Sequence, residues 1–416
     1  MEIYLLRSYY KIGGNKRDLR YGNGNLGAYN RFVKKAKLSI FEQVKTTDEK
    51  KELTPHVCAL RSYNNEYFIA CGCANSYTSQ GTFITYGGFI HKEKLSVIQT
   101  LSMAANFNAV HSMEVWKDMT ITVSSSGIIY VGKLSPTSPL KPMVQLAGVG
   151  AASSPFSQKG GSLTCNMYTG VDAKQGCFYF MDPKMKLIRF ELSQFDDTFF
   201  EPKPAVAKKE PESVEPVYDD GGNMLSQNVV PIKSEPKVAN VVFEVVIENV
   251  TDFCLGEKDI YCSDSKGGLI KVQKKDKSKL KHSTGEAVNN ARFGALAANR
   301  KYLYGVSGGS LYLFETFRLK MLKSIDMGIT ECEYIYLFNF KNRVTFLAAS
   351  NANQAIGVYA SYGSRLVPIA NNSDYWKSKP FENMNGRAFG LSFEEKTSKL
   401  YLNGEFFFIC VSQLTW

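Results

Sequence analysis

Histidine is scarce in this chain: four residues in 416, at His56, His91, His111 and His282. They stand far apart, with no HxxxH spacing and no neighbouring carboxylate, so a histidine-based general base or metal site has little to build on. No phosphate-cradling glycine loop of the Walker type is present. No apolar run approaches the ~18 residues that a membrane-spanning helix needs. The apolar start, Ile3 to Leu6, breaks at Arg7 and is too short for the core of a secretory signal. The nine cysteines are odd in number and scattered, which argues against a disulfide framework and for a reducing compartment, cytoplasmic or nuclear. These absences predict a protein without a bilayer span, without a cofactor and without enzymatic activity.

What is abundant is strand-forming material. Tyrosine and phenylalanine together number 50, apolar residues make up 44% of the chain, and 33 glycines punctuate it. From Asn290 to Ile325 the chain reads as four short strands: NARFGALA, RKYLYGV, SLYLFET and a shorter one near Leu322. A Ser-Gly-Gly turn at Ser307 to Gly309 separates the second from the third. Four such strands in about 36 residues make one propeller blade. The glycine turn followed by an alternating strand recurs as QGTFITYGG from Gln80, SGIIYVGK from Ser126, DPKMKLIRFEL from Asp182, KGGLIKVQKK from Lys266, GGSLYLFET from Gly308, NQAIGVYAS from Asn353 and NGEFFFICVS from Asn403. All but one of the intervals are about 41 to 56 residues, the range of propeller repeats.

In spacing, and in the shape of SKGGLIKVQ, the chain resembles the divergent members of the WD-repeat-like superfamily of seven-bladed β-propellers. It departs from that pattern in having no Gly-His pair opening a blade and no Trp-Asp pair closing one. Trp116, Trp376 and Trp416 are out of register, so the family's hydrogen-bond network maps onto no residue here. The resemblance implies an all-β, seven-bladed propeller over residues 36–416, preceded by an arm over 1–35. KLSIFEQVKT from Lys37 parallels KLSVIQTLSM from Lys94, the fourth strand of the first blade, whereas the last blade shows three strands of its own. The Lys37 strand is therefore expected to complete the last blade and close the ring.

The long interval between the third and fourth turns holds a Pro-, Glu-, Lys- and Ser-rich stretch, read by composition as a disordered insertion over 193–240 within the third blade. Its expected exit strand is VVFEVVI from Val241. Within the insertion, Ile232-Lys233-Ser234-Glu235 resembles a SUMO-acceptor pattern and makes Lys233 a candidate modification site.

Charge is localised. Residues 1–37 carry nine Lys and Arg, Arg17, Arg20, Lys34 and Lys35 among them, against Glu2 and Asp18; the difference, +7, is most of the chain's +11. A second run, Lys271, Lys274, Lys275, Lys277, Lys279 and Lys281 against Asp276, is expected to form an exposed loop after the third strand of the fourth blade. It serves either as a solvated hairpin or as a binding surface. Cys58, Cys71 and Cys73 fall on neighbouring strands and suit either core packing or a thiolate metal site; Asp196 and Asp197 diverge too far for acid–base work.

Two functional classes follow. One is a non-enzymatic scaffold that binds other proteins of a cytoplasmic or nuclear complex. The other is a subunit that contacts RNA or DNA through a basic propeller face, with Tyr10, Tyr21 and Tyr29 placed among the cations of the arm.

Overall fold

The computed structural model describes residues 37–44, 55–64, 66–74, 84–91, 97–102, 110–124, 127–134, 144–151, 169–200, 238–264, 266–274, 293–327, 332–340, 344–351, 356–362, 365–370, 388–394, 397, 399–404 and 409–415. Their strands form seven sheets, mostly four-stranded and antiparallel, with almost no helix.

β1 (Lys37–Val44) belongs to the last sheet. β2 (Pro55–Tyr63), β3 (Tyr67–Ala74), β4 (Ile84–His91) and β5 (Val97–Ser102) make the first. β6 (Val110–Trp116), β7 (Met119–Ser124), β8 (Ile129–Lys133) and β9 (Val144–Ala147) make the second. β10 (Thr169–Asp172), β11 (Cys177–Met181) and β12 (Leu187–Glu191) begin the third. They lead into two 3-10 turns, Leu192–Gln194 and Asp197–Phe200, and the description resumes at β13 (Val238–Asn240) and β14 (Glu244–Ile247). β15 (Val250–Leu255), β16 (Asp259–Asp264) and β17 (Leu269–Gln273) form the fourth sheet. β18 (Ala295–Ala298), β19 (Tyr302–Ser307), β20 (Ser310–Glu315) and β21 (Met321–Asp326) form the fifth. β22 (Cys332–Phe340), β23 (Val344–Asn351), β24 (Ile356–Tyr362) and β25 (Arg365–Ala370) form the sixth. β26 (Ala388–Glu394), β27 (Lys399–Gly404) and β28 (Ile409–Thr415) form the seventh, to which β1 adds beside β28 with Lys37 opposite Thr415.

The four strands read from Asn290 to Ile325 appear as β18 to β21, joined in sequence order. Their hairpin closes with Ser307 opposite Ser310 and a positive φ at Gly308. The same device recurs at Gly127 and Gly267, whereas at 182–186 it is Met185 that takes the positive φ. There Asp182 accepts backbone hydrogen bonds from Lys184 and Lys186, an Asx turn that stabilises a conformation unusual for methionine. Burial grades across a sheet. In the third, β11 (CFYFM) is buried at every residue, because a middle strand is covered on both faces. In the fifth, the edge strand β21 is exposed at five of its six residues.

The chain divides into two compact units, one of residues 1–51, 55–60 and 251–416, the other of 52–54 and 61–250. The core of the second gathers Phe178, Phe180 and Phe190 from the third sheet with Ile121, Ile129 and Val131 from the second. The first holds one cluster around Phe293, Leu303 and Phe314 and another around Tyr304, Leu313 and Tyr359.

The composition-based limits of the insertion are too wide at both ends. Residues 193–200 are built into the second unit: Phe195 is 5% exposed, and its ring meets Phe190 edge-on at 5.8 Å. Asp196 and Asp197 are structural. The carboxylate of Asp196 accepts from the Thr198 hydroxyl and the Phe199 amide, which holds its pKa below the usual range, and Asp197 pairs with Lys133. At the other end β13 pairs, in parallel, with β9 of the second sheet before β14 takes the expected place beside β12. Residues 201–237, including Lys233, lie outside the described residues.

Candidate interaction surfaces

Of the cations singled out by sequence, Arg17, Arg20, Lys34, Lys35, Lys275, Lys277, Lys279 and Lys281 lie outside the described residues. Lys271 and Lys274 correct the expectation of an exposed loop. Lys274 is 7% exposed, and its ammonium donates to the Gly256 carbonyl at 2.6 Å. Lys271 sits 3.2 Å from the Asp259 carboxylate and donates to the Thr316 carbonyl at 3.1 Å. Lys271 is the middle residue of β17 and Lys274 follows its last residue. The antiparallel register sets Gln273 opposite Asp259, which brings both ammonium groups against the β15–β16 turn and its neighbours. A Lys run read along the chain carries no information about those neighbours.

At this end of the fourth and fifth sheets lies a surface that the sequence reading passed over. Thr316 ties it together: its amide donates to the Lys301 carbonyl at 3.1 Å, its hydroxyl to the Arg300 carbonyl at 3.2 Å, and its own carbonyl accepts from Lys271. The next residue, Phe317, is 77% exposed, with the Lys271 ammonium 5.9 Å from its ring centroid. Lys258, Arg300, Lys301, Arg318 and Lys320 are exposed on the same group of turns. The motif ETFRLK, an aromatic beside cations between two strands, was the available signal.

A second surface belongs to the other unit. The segment from Val238 to Val245 exposes Val238, Val242, Phe243 and Val245, and Val242 reaches 79%. The side-chain amide of Gln194 holds it in place. Gln194 donates to the Val242 carbonyl and accepts from the Val242 amide, each at 2.9 Å, as a paired strand would. Arg189, nearly buried on β12, anchors β14 through the Glu244 carboxylate at 2.8 Å. β14 is the last strand of its sheet, so its outer backbone groups have no paired strand among the described residues.

Elsewhere, polar side chains join the first strands of consecutive sheets. Arg61 of β2 grips Glu114 of β6 with two nitrogens, at 3.0 and 3.2 Å, and Thr169 of β10 donates to the same carboxylate at 3.3 Å. This half-buried network reads as a structural tie.

Asp252 on β15 is different. It is buried, one carboxyl oxygen accepts the Phe253 amide at 2.8 Å, and the other has no partner among the described residues. Burial pushes its pKa well above the usual carboxylate range. Once the pH exceeds the ordinary value near 4, the unfolded chain releases this proton while the folded chain keeps it. Stability from this group therefore falls as pH rises, until the folded pKa is passed. Asp252→Asn, which cannot ionise, is expected to gain on the parent between pH 4.5 and 8. Thermal melts at the two pH values check this; an equal difference at both would contradict it.

Among the described residues no three His, Cys, Asp or Glu side chains gather as a metal site requires, and no helix is long and apolar enough to cross a membrane. Cys58 lies on β2, with Cys71 and Cys73 on β3. No protein-family model matches the chain, and no curated protein matches it.

Proposed function

We propose that this protein is a non-enzymatic scaffold of a cytoplasmic or nuclear assembly, built as a divergent WD-repeat-like propeller whose seven sheets are its blades. The turn spacing, the seven sheets and the addition of β1 beside β28 support the propeller reading. The observation that carries the scaffold reading is the exposed apolar edge from Val238 to Val245. Large apolar side chains clamped outward beside β14, whose outer edge is unpaired among the described residues, suit an extended segment of a partner protein. Such a segment would add to β14 by backbone hydrogen bonds and cover Val242 and Phe243 with its own apolar side chains.

The test is affinity purification of the tagged full chain with nuclease treatment throughout, comparing the parent with a Val242→Asp, Phe243→Ser variant. Stoichiometric protein partners are expected to survive nuclease and to be lost from the variant, while its melting temperature stays put because both side chains face solvent. Partners retained by the variant, or partners that leave with the nucleic acid, would overturn this reading.

A further inference from the structure

We infer that the Thr316-centred end of the fourth and fifth sheets is a binding site for single-stranded nucleic acid, with Phe317 as the ring on which a base stacks. The site shares no residue with the apolar edge around Val242, so each proposal stands or fails alone.

The first argument is the ring. An aromatic side chain that is 77% exposed at a turn gains nothing from the core, and the neighbouring apolar residue that does serve the core, Leu319, is fully buried. A free aromatic face is the feature that unpaired bases use, since every base has a flat face to stack. In a duplex those faces are occupied by their neighbours.

The second argument is charge. Lys258, Arg300, Lys301, Arg318 and Lys320 are exposed on the turns around Thr316, against Glu257, 3.9 Å from Arg300, and Asp259, which is taken up by Lys271 at 3.2 Å. This is the balance a phosphate backbone requires. Two guanidinium groups on the turns flanking Thr316 add planar donors suited to phosphate oxygens.

The third argument is rigidity. Thr316 fixes the Arg300–Lys301 turn and the adjacent sheet's Lys271 through three hydrogen bonds of 3.1 to 3.2 Å, and the Glu315 amide closes the turn that carries Phe317 by donating to the Lys320 carbonyl at 3.0 Å. The Lys274 amide donates to the Lys258 carbonyl at 3.1 Å and ties the end of the fourth sheet to the same turns. An acidic peptide would be served by the cations alone and has no use for the ring, which is why the nucleic-acid reading is preferred.

The experiment is fluorescence anisotropy of the full chain with labelled 20-nucleotide oligo-U and oligo-dT, a duplex of equal length, and polyglutamate as competitor. Saturable binding at 0.1 M salt is expected, tighter for the single strands than for the duplex. The oligo-U and oligo-dT arms distinguish an RNA ligand from a DNA one. Phe317→Ala should weaken single-strand binding about tenfold or more and leave duplex binding unchanged, and Phe317→Trp should restore it. Arg300→Gln with Arg318→Gln should make the slope of log affinity against log salt shallower by about 1.4, some 0.7 per lost phosphate contact on a single strand. All these side chains are exposed, so melting temperatures should match the parent's. The inference is overturned by any of four results: no saturable binding, equal affinity for the duplex, displacement by polyglutamate at equal charge, or Phe317→Ala binding like the parent.

Discussion

Alanine at Phe195 is expected to lower stability by about 3–5 kcal/mol, the usual cost of deleting a buried phenyl ring. The ring is packed between Phe190 and Phe199, whose centroids lie 5.8 and 4.7 Å away, and belongs to the core that unites the second and third sheets. Denaturant unfolding of the parent and variant measures the difference. A loss under about 1 kcal/mol would mean that the 3-10 turns are peripheral, as composition alone had implied. The comparison with Phe317→Ala is instructive, since an exposed substitution should stay within about 0.5 kcal/mol. One residue type, in two segments that each look like connecting loops, is predicted to differ severalfold in its effect on stability.

The second large effect is expected at Gly127. Its φ is +80°, and a Cβ there would sit 2.3 Å from the Ala151 carbonyl oxygen. That oxygen is backbone, so no side-chain rotation relieves the overlap. Separation of the two segments would also stretch the 2.8 Å hydrogen bond from the Ala151 amide to the Gly127 carbonyl. Left-handed strain of about 1–3 kcal/mol for a non-glycine residue, with about 1 kcal/mol for the hydrogen bond, puts Gly127→Ala on the order of 3 kcal/mol. Gly308 is the control: its φ is +55°, and nothing lies within 4 Å of the added Cβ. Asparagine, which tolerates the left-handed region, should cost under about 1 kcal/mol there. Thermal melts of both variants check the pair; equal losses would remove the packing argument and leave only the turn.

Legibility of the two surfaces differed for a physical reason. Lys271 and Lys274 were read as part of one exposed basic run, yet their ammonium groups are taken up by Asp259, Thr316 and Gly256, partners up to 45 positions away in the chain. Phe317 falls just past the strand SLYLFET, which ends at Thr316, and nothing in the local pattern singles it out. Val242 and Phe243 fall within the expected fourth strand of the third blade, and VVFEVV gives no sign that these side chains face solvent or that Gln194 supplies the pairing on the inner side.

The strands of the fifth sheet, the glycine hairpins at Gly127, Gly267 and Gly308, the return of the chain near Val241 and the pairing of the Lys37 strand with the last three strands were all determined by sequence alone. These follow from properties that act over a few residues, the two-residue alternation of a strand and the positive φ that glycine tolerates, or from one segment's likeness to another. Tertiary structure decided the rest: the burial of Phe195, the parallel addition of β13 to β9, the capture of the Lys274 ammonium and the exposure of Phe317. Burial and hydrogen-bond satisfaction are set by whatever the fold brings alongside a residue. A local pattern can specify which face of a strand is apolar, but not which neighbour will cover it.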